Sequence, residues 1–351
     1  MQSLAGGKQR VVGSAVSGFP RRLLAASGAQ LARGVRKFWF RVQATAKQEP
    51  RCLHQGFSQY NEVVTVLEIP PDPVEPHHQP LAGSRVLLLD RTGNIHSVYR
   101  PDRVLTSAYW DVLATLPSMV PPGPLGLLGL GAGTIPRIIA AHYPCRRKGD
   151  EEQDRNDQFV VHGWELDPGV IMASRLYLGM DELERNGHLV AHTGDALSPS
   201  ASVPGGFSGI IVDLFAGGQL LPQLTKVSTW ECIRDRLAEV GSGSGSGAGS
   251  GLVPRVIANL GQSPPAVPGM RWQAEAYTTL RAYEAMEKAF GGEVSLLSVE
   301  SNTLALSGPL PGPSQWPDAL PRGLAHLQVE AGSWARDVYP LQTAAVNLSL
   351  W

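Results

Sequence analysis

The hydrophobic pattern of the chain changes at about residue 123. From there to residue 308, short and continuously apolar runs alternate with longer segments whose apolar residues recur every three or four positions. A continuous apolar run is typical of a strand buried on both faces, and the longer spacing is typical of an amphipathic helix. The alternation therefore predicts an α/β fold with a parallel sheet that helices cover on both faces.

This part of the chain contains five predicted buried strands and a closing strand pair. A glycine turn follows the first strand, which starts at Gly123, and a helix follows that turn. The other strands are predicted at 158–167, 188–197, 207–215, 254–261, 293–300 and 301–308, and the helices at 135–143, 169–180, 229–240 and 275–291.

The region before residue 120 has a different pattern. The β-branched run 62–69 predicts a strand, and runs 84–90 and 94–100 predict a β-hairpin because a short glycine-containing turn joins them. Residues 106–117 have helical spacing and end at a proline. A small region of β-strands is therefore expected before the larger sheet.

These patterns divide the chain into four parts with one insert. We expect a small N-terminal β-strand region over 49–120 and the larger α/β domain over 121–308. The Gly/Ser run 241–251 predicts a flexible insert within that domain. The tail, 309–351, has no clear hydrophobic periodicity, so no element is predicted in it.

The first 48 residues contain nine Lys or Arg and no Asp or Glu. A basic, acid-free segment rich in Ser, Ala and Gly is typical of an organelle transit peptide, here with the plastid favoured over the mitochondrion. The alternative is a basic arm that binds nucleic acid or anionic lipid. The remaining residues, 49–351, carry 21 basic against 31 acidic side chains. That acidic excess argues against nucleic-acid binding by the folded body.

Composition also excludes several classes of site. The three cysteines form no CxxC pair, so no zinc site or disulfide framework is expected, and no metal is predicted. No window approaches the roughly 18 uninterrupted apolar residues of a membrane span, so no membrane partner is predicted. The partner expected is a small-molecule acceptor of unknown identity.

Glycines and carboxylates fall where the predicted strands end. Gly129, Gly131 and Gly133 follow the first strand, Glu165 ends the second, Asp195 the third and Asp213 the fourth. Open parallel sheets bind their ligands beyond these ends of the strands. Each residue also has an ordinary interpretation, as a turn glycine, an exposed acid or a helix N-cap. Their joint placement favours a binding site.

The spacing of the glycines selects among nucleotide ligands. Dinucleotide-binding loops read G-x-G-x-x-G, whereas this loop reads G-L-G-A-G-T, and no P-loop lysine is present. A loop of this kind suits a nucleoside without phosphates. Glu165 would then accept hydrogen bonds from both ribose hydroxyls, and Asp195 would accept one from the adenine amine. The pattern predicts a ligand like S-adenosylmethionine.

An ordered series of segments between about residues 56 and 308 resembles the spermidine synthases. These aminopropyltransferases share the class I S-adenosylmethionine-dependent methyltransferase fold, so the resemblance implies a Rossmann-like class I methyltransferase sheet with a small N-terminal β-hairpin domain. Members of that family often dimerise through their N-terminal strands, which makes a homodimer one possible assembly. The matching segments are SQYNEVVTVLEI, LLLD, AYWDVL, GLGAGT, WELDPGVI, GDAL and GIIVDLF.

The resemblance implies roles for individual residues. Asp213 matches the family's proposed base, and Tyr109 matches a tyrosine that closes over the methionine end of the ligand; both are candidate catalytic residues. Asn61 stands where the family has a glutamine and is a candidate ligand of the nucleoside, together with the glycines, Glu165 and Asp195. Two acids that face the polyamine in the family are replaced by Ala132 and Ala216.

These replacements change the predicted reaction. A diamine is multiply cationic, and an ammonium group buried without a carboxylate is costly. The sequence therefore favours methyl transfer from S-adenosylmethionine to an unknown acceptor, with alignment and desolvation as the main sources of catalysis.

Three other interpretations stay open. One is aminopropyl transfer from decarboxylated S-adenosylmethionine, with the missing acids supplied by Glu62 or Asp111. Another is a catalytically silent nucleoside-binding module. The third is a nicotinamide oxidoreductase, which the glycine spacing disfavours.

Overall fold

The computed structural model describes nine segments of the chain. The predicted transit peptide, 1–48, and the predicted insert, 241–251, fall outside them. The described residues are 49–71, 81–91, 93–143, 159–239, 252–262, 274–299, 302–310, 315–328 and 334.

Four antiparallel strands form a small sheet at the N-terminal end of the described chain. They are β1 (Arg51–Gly56), β2 (Val64–Glu68), β3 (Arg85–Leu88) and β4 (Ser97–Tyr99), in that spatial order. Strands β3 and β4 pair antiparallel, which confirms the predicted hairpin. Strand β1 was not predicted, because it is an edge strand whose side chains are mostly exposed or half-buried and carry no hydrophobic pattern.

A second, seven-stranded sheet forms the centre of the molecule. Its strands are β5 (Pro124–Leu128), β6 (Val160–Glu165), β7 (Leu189–Thr193), β8 (Gly209–Val212), β11 (Arg255–Gln262), β12 (Val294–Val299) and β13 (Asn302–Ser307). Between β8 and β11 the chain forms a short two-stranded ribbon, β9 (Phe215–Ala216) and β10 (Gln219–Leu220).

The helices connect and cover the strands of the seven-stranded sheet. They are α1 (Tyr109–Leu113), α2 (Thr134–His142), α3 (Pro168–Tyr177), α4 (Met180–Arg185), α5 (Val227–Arg234), α6 (Ala274–Ala289) and α7 (Gln315–Ala319), with 3-10 turns at Leu116–Met119, Pro222–Thr225 and Arg322–Leu327.

The strand order of this sheet places its switch point beside β5. The order is β12-β13-β11-β8-β5-β6-β7, and β5 pairs in parallel with β6 on one side and with β8 on the other. Strands β7 and β11 continue the parallel pairing outward. Strand β13 pairs antiparallel with both β11 and β12, so it alone runs against the other strands of this sheet. This Rossmann-like, mostly parallel sheet confirms the α/β fold that the sequence predicts.

Alternate residues of the central strands enter two different cores. Leu127 and Ile211 belong to one apolar cluster, whereas Leu128, Ile210 and Val212 belong to another. Since successive side chains of a strand point to opposite faces, both faces of the sheet are buried. This double burial explains why the strands read as continuous apolar runs.

Further differences from the predicted elements lie in the helix before β5 and in the tail. The helix predicted over 106–117 ends at Leu113, and Pro117 lies inside the following 3-10 turn rather than ending the helix. The tail also contributes more than its sequence indicates, because Trp316 and Trp334 are buried with ring centroids 5.4 Å apart. Aromatic packing of this kind depends on a surface elsewhere in the chain and leaves no periodic signal.

Candidate functional site

The loop after β5 is built around three glycines with left-handed backbone angles. The φ angles of Gly129, Gly131 and Gly133 are 95°, 52° and 78°, a region that favours glycine. A Cβ atom on Gly129 would lie 2.1 Å from the backbone oxygen of Asp213, and one on Gly131 would lie 2.7 Å from Ser97 Oγ. Close approach of the chain to itself therefore requires glycine at both positions, and contact with a nucleoside stays a prediction.

Glu165 lies at the end of β6 and faces this loop. Its Oε2 accepts a hydrogen bond from the Gly131 amide at 3.1 Å, and its Oε1 accepts one from the Asp167 amide at 3.1 Å. Burial raises the pKa of Glu165 to about 7, and these backbone hydrogen bonds oppose the rise. A hydrogen bond from the Leu166 backbone also lowers the pKa. A carboxylate has about four lone-pair sites, so the side chain can still accept a hydrogen bond from a ligand hydroxyl group.

Asp167 links the N-terminal region to α3. Its Oδ1 accepts from the Gly169 amide at 2.8 Å, as the N-cap of α3. Its Oδ2 accepts from the Ser58 hydroxyl and from Asn61 Nδ2, the latter at 2.8 Å. The predicted ligand Asn61 thus uses its amide nitrogen to hold the loop before β2 against α3.

Asp195 lies in the turn after β7. Its side chain is exposed, and Oδ1 accepts from the Leu197 amide at 2.8 Å, which closes a local turn. The preceding amide, of Gly194, donates to the backbone oxygen of Glu165 at 2.9 Å. The turn is thereby attached to the end of β6, and the adenine contact predicted for Asp195 stays a prediction.

Asp213 and Tyr109 meet on the other side of the glycine loop. The Tyr109 hydroxyl donates to Asp213 Oδ2 at 3.2 Å, and Asn259 Nδ2 donates to Asp213 Oδ1 at 3.0 Å. Burial raises the pKa of Asp213 to about 6, although hydrogen bonds from Asn259, Tyr109 and Trp110 oppose the rise. Burial and the Asp213 charge raise the pKa of Tyr109 well above its usual value. Near neutral pH, Asp213 is therefore the member of the pair that exchanges a proton.

Asn259 is a site residue that sequence reasoning missed. It is 2% exposed and lies on β11, within the run RVIANLG. The sequence did offer one signal, which is an amide side chain in the middle of the apolar run VIANL. Buried polar groups require hydrogen-bonding partners, so such a residue indicates a polar contact. The sequence did not indicate that its partner would be Asp213, which directly follows the neighbouring strand β8.

The two alanines that replace acids of the resembling family lie in different surroundings. Ala132 is 3% exposed and packs in an apolar cluster, and its amide donates to Ser97 Oγ at 2.8 Å. Ala216, in β9, is exposed. The apolar neighbours of Ala132 in that cluster are Val64, Val66, Leu87, Val170, Ala173 and Leu178.

The two acids considered as substitutes are already engaged. Asp111 is 1% exposed and accepts from the backbone amides of Thr106 and Ser107 and from the Thr106 hydroxyl. Glu62 is exposed and accepts from the Arg91 amide at 3.2 Å. Asp111 therefore serves to fix the start of α1.

We expect Ala132→Asp to reduce the free energy of unfolding by about 3 kcal/mol or more, because a carboxyl group would be buried among apolar side chains. Urea unfolding followed by circular dichroism measures this change. Ala216→Asp is the matched control and should stay within about 0.5 kcal/mol, because position 216 is exposed. Equal stability of the two variants would contradict the described packing of Ala132.

Within the described segments, no three or more His, Cys, Asp or Glu side chains are grouped so that they could hold a metal ion. No described helix is long and apolar enough to cross a membrane.

Comparison with known proteins gives structural likenesses at low identity. No family model matches the chain, and no curated sequence matches it significantly. A probable spermidine synthase from Corynebacterium glutamicum is 15% identical over 73% of this chain and 79% of its own, with a TM-score of 0.46. The spermidine synthase of Thermotoga maritima is 16% identical over 73% and 72%, with a TM-score of 0.48. Human methyltransferase-like protein 13, in complex with SAH, is 14% identical over 68% and 99%, with a TM-score of 0.40.

Proposed function

We propose that this protein is a transferase that binds S-adenosylmethionine and transfers its methyl group to a small-molecule acceptor. The observation that carries the proposal is the placement of two half-buried carboxyl groups on either side of the glycine loop. Glu165 ends β6 and Asp213 follows β8, and these strands flank β5 at the switch point of the sheet. Ligands of open α/β sheets bind at this point.

Glu165 fits the nucleoside half of such a ligand. The Gly131 and Asp167 amides hold its two oxygens in fixed positions, and the carboxylate keeps acceptor capacity for a ribose hydroxyl. Because the side chain is already oriented by the protein, little conformational freedom is lost on binding.

Asp213 and Tyr109 fit the reacting half. S-adenosylmethionine supplies a methyl group on a sulfonium centre, which an acceptor atom attacks in line. Asp213 is ionised above about pH 6 and can take the proton that the acceptor loses. Tyr109 stays protonated and holds Asp213 Oδ2 in position.

The surroundings of this pair favour methyl transfer over aminopropyl transfer. A diamine needs carboxylates for its ammonium groups. Position 132 is an apolar core position, position 216 carries no charge, and Asp111 is saturated by its own loop. An acceptor with one weakly acidic group requires only Asp213.

Calorimetric titration of the full-length protein with S-adenosylmethionine and with its decarboxylated form tests the proposal. We expect the intact ligand to bind at least about tenfold more tightly, which corresponds to about 1.4 kcal/mol. Preference for the decarboxylated form would contradict methyl transfer and support aminopropyl transfer. A folded protein that binds neither ligand would overturn the proposed nucleoside site.

A further inference from the structure

The side-chain amide of Asn259 has a fixed orientation. Its Oδ1 accepts from the backbone amide of Gly261 at 3.0 Å, and its Nδ2 donates to Asp213 Oδ1 at 3.0 Å. A backbone N–H can only donate, so the oxygen of the Asn259 amide must face Gly261. The NH₂ group is consequently the part of the side chain that faces Asp213.

The two oxygens of Asp213 therefore have different partners. Oδ1 faces the Asn259 NH₂ group, which can only donate, whereas Oδ2 faces the Tyr109 hydroxyl, which can donate or accept. Trp110 also donates a hydrogen bond to this carboxyl group. A proton on Oδ1 would compete with the donor from Asn259. A proton on Oδ2 leaves the bond from Asn259 intact and can itself be donated to Tyr109.

We propose that Asn259 is a positioning residue that directs the proton accepted by Asp213 to its Oδ2 atom. The catalytic part of this inference rests on the proposed function. The acceptor atom forms a bond to the methyl carbon, the carbon–sulfur bond breaks with its electron pair on sulfur, and the acceptor's proton moves to Asp213 Oδ2. The product state contains a neutral carboxylic acid beside Tyr109.

The same contact helps to keep Asp213 ionised before the reaction. Burial disfavours the carboxylate and raises the pKa of Asp213. Of the interactions that lower this pKa, the hydrogen bond from Asn259 is the largest. A further hydrogen bond from Asn259 lowers the pKa of Tyr109, against the larger opposing effects of burial and the Asp213 charge. The Asn259 amide thus lowers the pKa of both Asp213 and Tyr109.

The test compares Asn259→Leu with Ser307→Ala. Leucine has a similar volume but cannot donate, so the titration midpoint of Asp213 should rise by about one pH unit from its value near 6. Ser307 Oγ accepts a hydrogen bond from the Val256 amide at 2.9 Å, so Ser307→Ala also removes a buried hydrogen bond to β11, but at a residue three positions before Asn259. It should lower stability without moving the midpoint.

Carbon-13 NMR of the side-chain carboxyl groups measures these midpoints, with Asp213→Asn used to assign the signal. If Asn259→Leu does not fold, the Asn259 NH₂ signals of the native protein provide a second measurement and should shift with the Asp213 midpoint. An unchanged Asp213 midpoint in Asn259→Leu would overturn the inference. NH₂ signals that are insensitive to pH near 6 would do the same.

These titrations need no substrate, so they stand apart from the proposed function. When transfer is measured, the acidic limb of kcat/KM should move to higher pH in Asn259→Leu and stay in place in Ser307→Ala. A shifted carboxyl titration in a protein that binds no S-adenosylmethionine would support the role of Asn259 and overturn only the proposed transferase activity.

Discussion

Replacing Glu165 by glutamine is expected to weaken binding of S-adenosylmethionine by about 100-fold or more. Both oxygens of Glu165 accept from backbone N–H groups, so the NH₂ group of glutamine would have to face one of these donors. The variant would also lose an ionised acceptor toward the ribose, and hydrogen bonds to charged groups contribute about 1.5–3 kcal/mol each. Calorimetric titration measures the loss.

The matched control for this variant is Asp181→Asn. Asp181 is an acid on α4 whose side chain is 47% exposed, and it pairs with Arg185 on the same helix at 3.0 Å. Removing its charge changes the net charge as Glu165→Gln does, but leaves the glycine loop untouched. Unchanged affinity in Glu165→Gln, or an equal loss in the control, would contradict the assignment of Glu165 to the ribose.

The pH dependence of binding provides a second check on Glu165. Burial raises its pKa to about 7, so the side chain is mainly protonated below that pH and mainly ionised above it. Ribose hydroxyls donate best to the ionised form, so affinity should rise with pH through about 7 and level off above it. The glutamine variant should lack this dependence.

Replacing Asp213 by asparagine is expected to lower kcat by about 10²–10⁴-fold, the usual contribution of a general base. Asparagine keeps the size of the side chain but cannot take a proton from the acceptor. Binding of S-adenosylmethionine should be retained, because Glu165 lies on the other side of the glycine loop. SAH release in the presence of a panel of small amines, phenols and carboxylic acids measures transfer.

The pH profile separates a base from a merely structural acid. In the native protein, kcat/KM should rise with pH through about 6 as Asp213 ionises, and this limb should be absent from Asp213→Asn. Tyr109→Phe removes a partner of Oδ2 but leaves the carboxyl group, so it should retain more activity than Asp213→Asn. Full activity of Asp213→Asn with any acceptor would show that the reaction needs no base at this position.

The order of the strands and helices was predictable because burial on both faces produces continuous apolar runs. Strand β8 illustrates this, since its four residues, Gly209–Val212, are all buried and the polar residue Asp213 follows directly. The exposed edge strand β1 and the tail helix α7 were not predicted. Their side chains contact solvent or isolated aromatic partners, and neither environment produces a periodic hydrophobic pattern in the sequence.

The placement of candidate residues was predictable only as far as strand ends could be located. The sequence places Glu165 and Asp213 at the carboxyl ends of two parallel strands, and the structure puts those strands on either side of β5. Asn61 and Asp111 were selected by resemblance and by charge. The sequence carried no sign that Asp167 and the Thr106 loop would engage them.

The sequence by itself determined the α/β class, the glycine turn after the first strand of the large sheet and the acids at the strand ends, because each depends on local spacing. Only the tertiary structure decided which of these groups share partners. The pairing of Asp213 with Asn259 joins the residue that follows β8 to a residue on the neighbouring strand β11, and the burial of Ala132 depends on strands from the N-terminal sheet. Such contacts arise from packing between distant segments, and local sequence does not encode them.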